Sequence, residues 1–415
     1  MSASETAPRF GRLGAFAFRD YRWLWLLTLV TQVVLWLRIF GTGQWLLDDT
    51  GSATVVGLIG LVQLLVQVPM LLVAGTLADR VDRKRLLRAA DSANAIALLG
   101  LAWLSAQDAL TPTLVFVGIA LSAGAQTLAN PARSALVPII VPREKQLLAA
   151  STDTAGFNIA AVIGPLLFAL IATGASLTWV FATGGVLAAL ASLLPLLIRA
   201  PGRAVADDEA APRPSALAQT AAGFRYVAGH PILPGLYLLD AGITVATFYR
   251  EILPVLALGL FAGGASATGA LGAANSAGAI VGALIAMAFV AWRAKGMLVL
   301  YASLIYGALM VAFSLASSLW LGLLLIAALG AADSVTVAVR QATVMLTTPD
   351  HMRGRAFALM VLAAQSANNI GTIWVGALAG AIGASQSMLV GGIFSIVATL
   401  LIGWLWRPIR TFRSD

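Results

Sequence analysis

The chain of 415 residues has no cysteine, two histidines and three lysines. Without cysteine it can form neither a disulfide nor a thiolate metal site. His230 and His351 do not form an HExxH zinc motif, GxSxG is absent, and no lysine (Lys84, Lys145, Lys295) follows a glycine as in a P-loop. We therefore expect no enzyme activity, no bound metal and no cofactor, and any energy requirement to be met by an ion gradient or by a solute's own gradient rather than by ATP.

Charged residues are scarce at 11% of the chain, whereas hydrophobic residues make up 60%. A helix of about 20 apolar residues crosses the hydrocarbon core of a bilayer. This composition excludes a soluble domain with one core and predicts an all-α membrane protein. Twelve transmembrane helices are predicted, at about 22–47, 55–79, 86–105, 112–136, 147–173, 177–198, 231–258, 267–292, 296–316, 319–346, 355–381 and 386–407.

The 26 lysines and arginines are concentrated in alternate loops, and only Arg38 and Arg250 fall in the outer half of a predicted helix. Cytoplasmic loops carry such an excess of positive charge. The pattern predicts a multi-pass protein of the inner (cytoplasmic) membrane with both termini cytoplasmic. The net charge of +8 is thus a topology signal, and we expect a lipid bilayer rather than nucleic acid as its partner.

The two halves of the chain share sequence features at a constant spacing. An offset of 207 relates Arg133 to Arg340, Pro142 to Pro349 and Gly75 to Gly282, and an offset of 212 relates Arg38 to Arg250, Gly57 to Gly269 and Gly60 to Gly272. A duplication of this size predicts two pseudo-symmetric six-helix bundles with a site between them, as in alternating-access transporters. The predicted units are 1–198, a cytoplasmic linker with a short interfacial helix at 199–230, and 231–415.

Charged side chains inside predicted spans are costly, at about 2.5–3.5 kcal/mol each at a helix centre, so they should face a cavity or a partner. The candidates for the substrate or ion pathway are Arg38, Asp240, Arg250, Glu251 and Asp333. They could recognise substrate, bind a proton or gate the pathway. Alternatively, they could form structural ion pairs, such as Arg38 with Glu251 or with Asp240.

Position distinguishes some of these candidates. Asp333 lies near the middle of its predicted helix, which favours a functional role, whereas Arg133 and Arg340 lie near helix ends and are expected to snorkel. The aromatic residues Trp36 and Tyr249 accompany the charged positions and could line an amphiphilic pocket or anchor the helices at the membrane interface.

Several segments resemble the major facilitator superfamily, and in particular its enterobactin-exporter-like and macrolide-efflux-like branch. They are "GTLADRVDRKR" from Gly75, "FRDYRWLW" at 18–25, "NPARSALVPIIVPRE" at 130–144, "NIAAVIGP" at 158–165 and "GFRYVAGHPIL" at 223–233. Asp82 stands where the general superfamily signature has a glycine. The resemblance covers nearly the whole chain and implies the major facilitator fold.

The resemblance also implies a function. Gly75, Asp79 and Arg83 would form a latch between the second and eleventh predicted spans, 55–79 and 355–381, that holds the cytoplasmic face shut. Alternatively, the basic residues of this loop could be solvated topology signals. The protein would be a monomeric secondary transporter, a proton-coupled exporter of a small amphiphilic molecule of the drug or siderophore class. The alternatives are an uptake or lipid-moving carrier of the same fold, or a non-transporting membrane receptor or scaffold.

Overall fold

The computed structural model describes residues 14–203, 216–289 and 292–413, without the side chains of residues 72, 75, 76, 78–80 and 216–219. Their regular structure is helical. The helices are α1 (Arg19–Thr50), α2 (Ala53–Arg80), α3 (Arg83–Ala106), α4 (Pro112–Ile140), α5 (Gln146–Gly174), α6 (Leu177–Leu193), α7 (Ala216–Gly229), α8 (Leu233–Thr247), α9 (Leu253–Phe261), α10 (Ala265–Ala288), α11 (Lys295–Ser314), α12 (Leu319–Thr347), α13 (Asp350–Ile382), α14 (Ala384–Leu405) and α15 (Arg407–Thr411).

The prediction of twelve membrane-spanning helices is confirmed in the described part of the chain. The seventh span differs from the expectation of one continuous helix, because it consists of α8 and α9 joined through a short 3-10 turn at Arg250–Ile252. Pro254 in the first turn of α9 has no amide hydrogen for the carbonyl of Arg250, so it separates the two helices. The break places two charged residues, Arg250 and Glu251, at a point where the backbone is not α-helical.

The twelve spans put the start of α1, the linker and the end of α14 on one side of the membrane, here called the linker face. On the other side, the opposite face, α2 packs closely against α13. A Cβ atom added to Gly57 would lie 2.9 Å from Gly376 Cα, and one added to Gly60 would overlap the carbonyl oxygen of Asn369. Only glycine allows the two backbones to approach this closely.

The duplicated glycines form the symmetry-related contact between α10 and α5. A Cβ atom on Gly272 would lie 3.1 Å from Pro165 Cβ, and one on Gly269 would overlap the carbonyl oxygen of Pro165. Both contacts join the first half of the chain to the second, near the opposite face. Four of the glycines that identified the duplication, Gly57, Gly60, Gly269 and Gly272, therefore lie where the two halves meet.

The linker ends in a helix that packs on the second half. Val227 of α7 is buried among Leu233, Val344 and Met360. His230 follows α7, and its Nδ1 accepts hydrogen bonds from the backbone amides of Ile232 (3.2 Å) and Leu233 (3.3 Å) at the start of α8. Burial lowers the pKa of His230, which favours the neutral imidazole that accepts these bonds.

The glycine contact at α2 is testable with two alanine substitutions in the same half. We expect Gly60→Ala to destabilise the protein by about 1–3 kcal/mol, because the methyl group overlaps the α13 backbone. The matched control is Gly100→Ala, where an added Cβ has no neighbour within 4 Å. Thermal unfolding in detergent measures the stability.

Spin labels at Gln107→Cys and Ser317→Cys report the separation of the halves at the opposite face, with no native cysteine to interfere. We expect Gly60→Ala to increase this separation. Equal melting and equal label distances in Gly60→Ala and Gly100→Ala would show that the contact does not hold the halves together.

Candidate functional site

A polar cavity of about 330 Å³ lies inside the molecule and reaches from Arg250 towards the linker face. Its lining residues all belong to the segment 240–368 of the second half, whereas the sequence predicted a site between the two halves. The polar side chains among them are Asp240, Thr244, Thr247, Tyr249, Arg250, Asn275, Ser303, Tyr306, Asp333, Thr336, Arg340, Gln341, Gln365 and Asn368. Such a wall offers many hydrogen-bond donors and acceptors to a bound molecule.

The side chain of Arg250 is exposed to this cavity and stacks on aromatic rings. Its Cζ atom lies 5.4 Å from the ring centroid of Trp36 and 5.5 Å from that of Phe248. These distances are typical of cation–π contacts. Trp36 comes from the first half, so Arg250 joins the two halves at the end of the cavity.

Trp36 reaches this position because α5 has glycine beside it. A Cβ atom on Gly164 would lie 3.0 Å from Trp36 Cγ. The next residue, Pro165, contacts Gly272 of α10. Gly164 and Pro165 of α5 thus pack against α1 on one side and α10 on the other.

Asp333 lies midway along α12, as predicted, and its side chain is exposed in the cavity. Arg250 attracts its carboxylate. Tyr249 and Tyr306, both largely buried, stand close enough to interact with the same charge. The Oη atom of Tyr249 accepts a hydrogen bond of 2.6 Å from Asn275 Nδ2. Tyr249 and Arg250, at the break between α8 and α9, are therefore brought together with Asp333 of α12.

Asp240 forms an ion pair with Arg340, which joins α8 to α12. The side chain of Arg340 is only 7% exposed and that of Asp240 is 17% exposed. The prediction that Arg340 snorkels is wrong, because a partner one hundred residues away in the sequence holds the guanidinium inside the protein. The alternative pairing of Asp240 with Arg38 is not made.

Arg38 and Glu251 lie apart from the large cavity and are nearly inaccessible, with 3% and 6% exposure. Glu251 Oε1 accepts a hydrogen bond from Gln63 Nε2 at 3.3 Å. Arg38 and Glu251 attract each other but form no ion pair among the described residues. Arg38 and Arg250 hold matching places in the duplicated sequence, yet one is sealed in protein and the other faces the cavity.

Arg133 is also buried, at 8% exposure, so the expectation of snorkelling is wrong for this residue too. Its Nη2 donates to Thr31 Oγ1 at 3.1 Å, which ties α4 to α1. Asp91 of α3 lies beside it and is 3% exposed. Asp91 is not among the residues predicted from the sequence, although it is recognisable as an acid inside the third predicted span. Gln63, Asn275 and Tyr306 are likewise recognisable as polar residues within other spans.

The charged residues at the connection from α2 to α3 and in the first turn of α3 have a structural role. Arg83 Nη1 donates to the carbonyl oxygen of Ala135 (3.3 Å), and Lys84 Nζ donates to that of Ile198 (3.1 Å). These two cations thus bind the ends of α4 and of the sixth span instead of only facing solvent. Asp82 caps α3 by accepting the amide of Arg85 at 3.0 Å, which accounts for an acid at the glycine position of the superfamily signature.

The latch predicted from the resemblance falls largely outside the described side chains. Gly75 and Asp79 lie within α2, but their side chains are outside the described part. In this conformation Arg83 binds α4. The latch between α2 and α13, which form the second and eleventh spans, therefore stays a prediction.

Comparisons with known proteins identify the family. A family model described as "Transmembrane secretion effector" matches residues 11–412, so the chain belongs to this family of the major facilitator superfamily. The enterobactin exporter EntS of Citrobacter koseri is 26% identical over 100% of this chain and 95% of its own length. EntS of Salmonella typhi is 26% identical over 100% and 96%. The chain is thus a multi-pass inner-membrane transporter of the enterobactin-exporter-like branch.

Solved structures show the same fold. The nucleoside transporter NupG superposes with a TM-score of 0.79 at 14% identity, covering 93% of this chain and 100% of that one. A bacterial homologue of the human lysosomal transporter Spinster, in an inward-facing conformation, gives a TM-score of 0.71 at 16% identity, covering 95% and 98%. The predicted major facilitator fold is confirmed.

The buried ion pair is testable by removing one partner. We expect Asp240→Ala to destabilise the protein by about 3–5 kcal/mol, because Arg340 would be left buried without a counter-charge. Asp240→Leu combined with Arg340→Met should recover most of the loss, because no buried charge remains. Denaturant unfolding in detergent measures both effects.

The control is the ion pair of Asp350 with Arg353, whose side chains are 91% and 41% exposed. Asp350→Ala should change stability by less than about 0.5 kcal/mol. A similar small effect for Asp240→Ala would mean that the Asp240–Arg340 pair is hydrated rather than buried.

Proposed function

We propose that this transporter exports a small amphiphilic molecule of the siderophore class by proton-coupled alternating access. The observation that carries the proposal is the match to enterobactin exporters over the full chain, combined with a polar cavity in which Arg250 stands between two aromatic rings. A cation and aromatic faces at one end of a hydrogen-bonding cavity suit a molecule with both aromatic and polar groups.

The geometry favours access from the linker face in this conformation. The glycine contacts join the two halves near the opposite face, whereas the cavity extends towards Arg340 and Met360 on the linker side. An exporter loads its substrate from the cytoplasm, and positive-inside charge assigns the linker face to that side. A second conformation, closed at the linker face, would release the substrate.

Arg38 and Glu251 suit a role at the contact between the halves rather than in binding. Both are buried where α1 meets the break between α8 and α9, and a Cβ atom on the nearby Gly43 would lie 3.1 Å from the Glu251 carbonyl oxygen. Separation of the halves at the opposite face would expose both groups to water. We propose that they form a gate, which their mutual attraction favours in the closed position.

The transport proposal is tested with purified protein in liposomes under an imposed pH gradient. We expect accumulation of enterobactin in the direction that corresponds to export, coupled to proton movement in the opposite sense. Accumulation of a nutrient in the other direction would replace export by uptake, and flipping of a labelled phospholipid would indicate a lipid carrier. Binding with no transport of enterobactin, a macrolide or lipid would favour a receptor.

The proposed site predicts the effect of single substitutions on enterobactin binding. Arg250→Ala should weaken binding by about tenfold or more, because the cation–π partner of the cavity is lost. Arg353→Ala, which removes an arginine outside the cavity, is the matched control and should leave binding unchanged. Titration of intrinsic tryptophan fluorescence measures the affinity, and equal affinities of the two variants would remove Arg250 from the site.

The latch predicts a shift between conformations. Asp79→Asn should favour states open at the linker face, because the carboxylate would no longer face the N-terminal end of α13. Spin labels at Glu144→Cys in the first half and His351→Cys in the second report this opening. An unchanged distance distribution in Asp79→Asn, with Gly100→Ala as the unperturbed control, would contradict the latch.

A further inference from the structure

A second, much smaller cavity lies entirely within the first half, between α1, α3 and α4. Its volume of about 10 Å³ is room for about one water molecule. Thr31, Arg38, Asp91, Asn94, Ser122 and Arg133 are among its lining residues. It is separate from the cavity of the proposed substrate site, whose lining belongs to the second half.

Asp91 is the unusual residue of this cavity. Its side chain is 3% exposed, and its Oδ2 atom is buried without a hydrogen-bond partner in the described structure. The neighbouring guanidinium of Arg133 donates to Thr31 Oγ1 (3.1 Å) and to Asn130 Oδ1 (3.4 Å) instead of pairing with Asp91. An ionised carboxylate in such a place loses its hydration without gaining a donor.

No other charged group around Asp91 hydrogen-bonds to it in the described structure, although Arg38 Nη1 is itself buried without a hydrogen-bond partner. Arg38 of α1 faces the cavity and attracts Glu251, which Gln63 binds. On the far side of Arg133, Asp153 of α5 accepts a hydrogen bond of 3.0 Å from Tyr21. Arg88, on α3 itself, is exposed, and α6, which packs along α3, contains no ionisable residue.

Each acid within the spans of the second half has a neighbouring polar or charged partner, including Glu251, whose Oε1 accepts a hydrogen bond from Gln63 although its Oε2 has no partner. Asp240 is paired with Arg340, and Asp333 is exposed in the large cavity with Arg250 nearby. Among the described acids within the spans, Asp91 combines nearly complete burial with the absence of any hydrogen-bond donor.

We propose that Asp91 binds and releases the coupling proton, and that Arg133 is the neighbouring cation that displaces it. In this conformation Arg133 is held by Thr31 and Asn130, so Asp91 is stable as the neutral acid, its proton taken from water. A shift of α4 against α1 that brings the guanidinium to Asp91 forms an ion pair and returns the proton to water. The substrate site and the proton site would then lie in different halves of the molecule.

This inference rests on the proton coupling of the proposed function, and a test without substrate separates the two. Full-length protein in nanodiscs carries spin labels at Glu144→Cys and His351→Cys, in a His230→Asn background that removes the remaining histidine. The ratio of the two conformations is measured between about pH 5 and pH 9. Single-proton linkage changes such a ratio by up to about tenfold per pH unit.

We expect this pH response in the unmodified site and its loss in Asp91→Asn. Asp91→Glu should restore the response with a displaced midpoint, which shows that the carboxyl group, and not only the fold, is required. Ser122→Ala alters the same cavity without changing its charge and should retain the response. Asp333→Asn should also retain it, although enterobactin binding should weaken.

Arg133→Gln provides a second test if Asp91→Asn does not fold. Removal of the cation should move the midpoint to higher pH and reduce the size of the response, because no ion pair then favours the ionised acid in the second conformation. A full response in Asp91→Asn, an unmoved midpoint in Arg133→Gln, or loss of the response in Asp333→Asn would each overturn the assignment. A flat response with Asp91 intact would overturn proton coupling itself, whereas failure of enterobactin binding would leave this result standing.

Discussion

Close backbone packing at glycine decides which side of this transporter is closed. Gly57 and Gly60 let α2 lie directly against α13, and their counterparts Gly269 and Gly272 let α10 lie against α5. Two helices approach this closely only where no side chain separates them. Because both contacts lie near the opposite face, the halves meet there and the space between the helices widens towards the linker face. The position of the polar cavity follows from this packing.

Within that frame, the hydrocarbon surroundings make a charge without a partner costly. The large cavity lies in the second half, where Arg250 and Asp333 face it and the Asp240–Arg340 pair lines it, while Glu251 of the same half is buried. The first half instead seals its charges in protein, and Asp91 is left without a donor. The duplication has therefore kept the helix packing while its two copies have come to hold different kinds of polar site.

The charged segment at the start of α3 contributes both to helix packing and to membrane topology. Arg83 and Lys84 bind carbonyl groups at the ends of other spans, and Asp82 caps α3. The same cations contribute to the positive-inside pattern. Because this segment contacts three helix ends, it should move together with them. The proposed latch at Asp79 would add a contact to α13.

The sequence alone was sufficient for the twelve spans, the duplication, the membrane class and the family, because hydropathy, spacing and motifs are local properties of the chain. It also placed Asp333 correctly, since depth in a helix follows from counting residues. Two further features had signals in the sequence. Pro254 indicated a break in the helix near Arg250, and Asp91 stood as an acid within an apolar predicted span.

Only the tertiary structure decided the partners. Arg340 and Arg133 were expected to reach the membrane surface, yet they bind Asp240 and Thr31 inside the protein. Arg38 and Arg250 match in the sequence but differ in exposure. The rotation of each helix and the neighbour that it meets determine these outcomes, and both depend on packing between residues about one hundred or more positions apart, which no local pattern records.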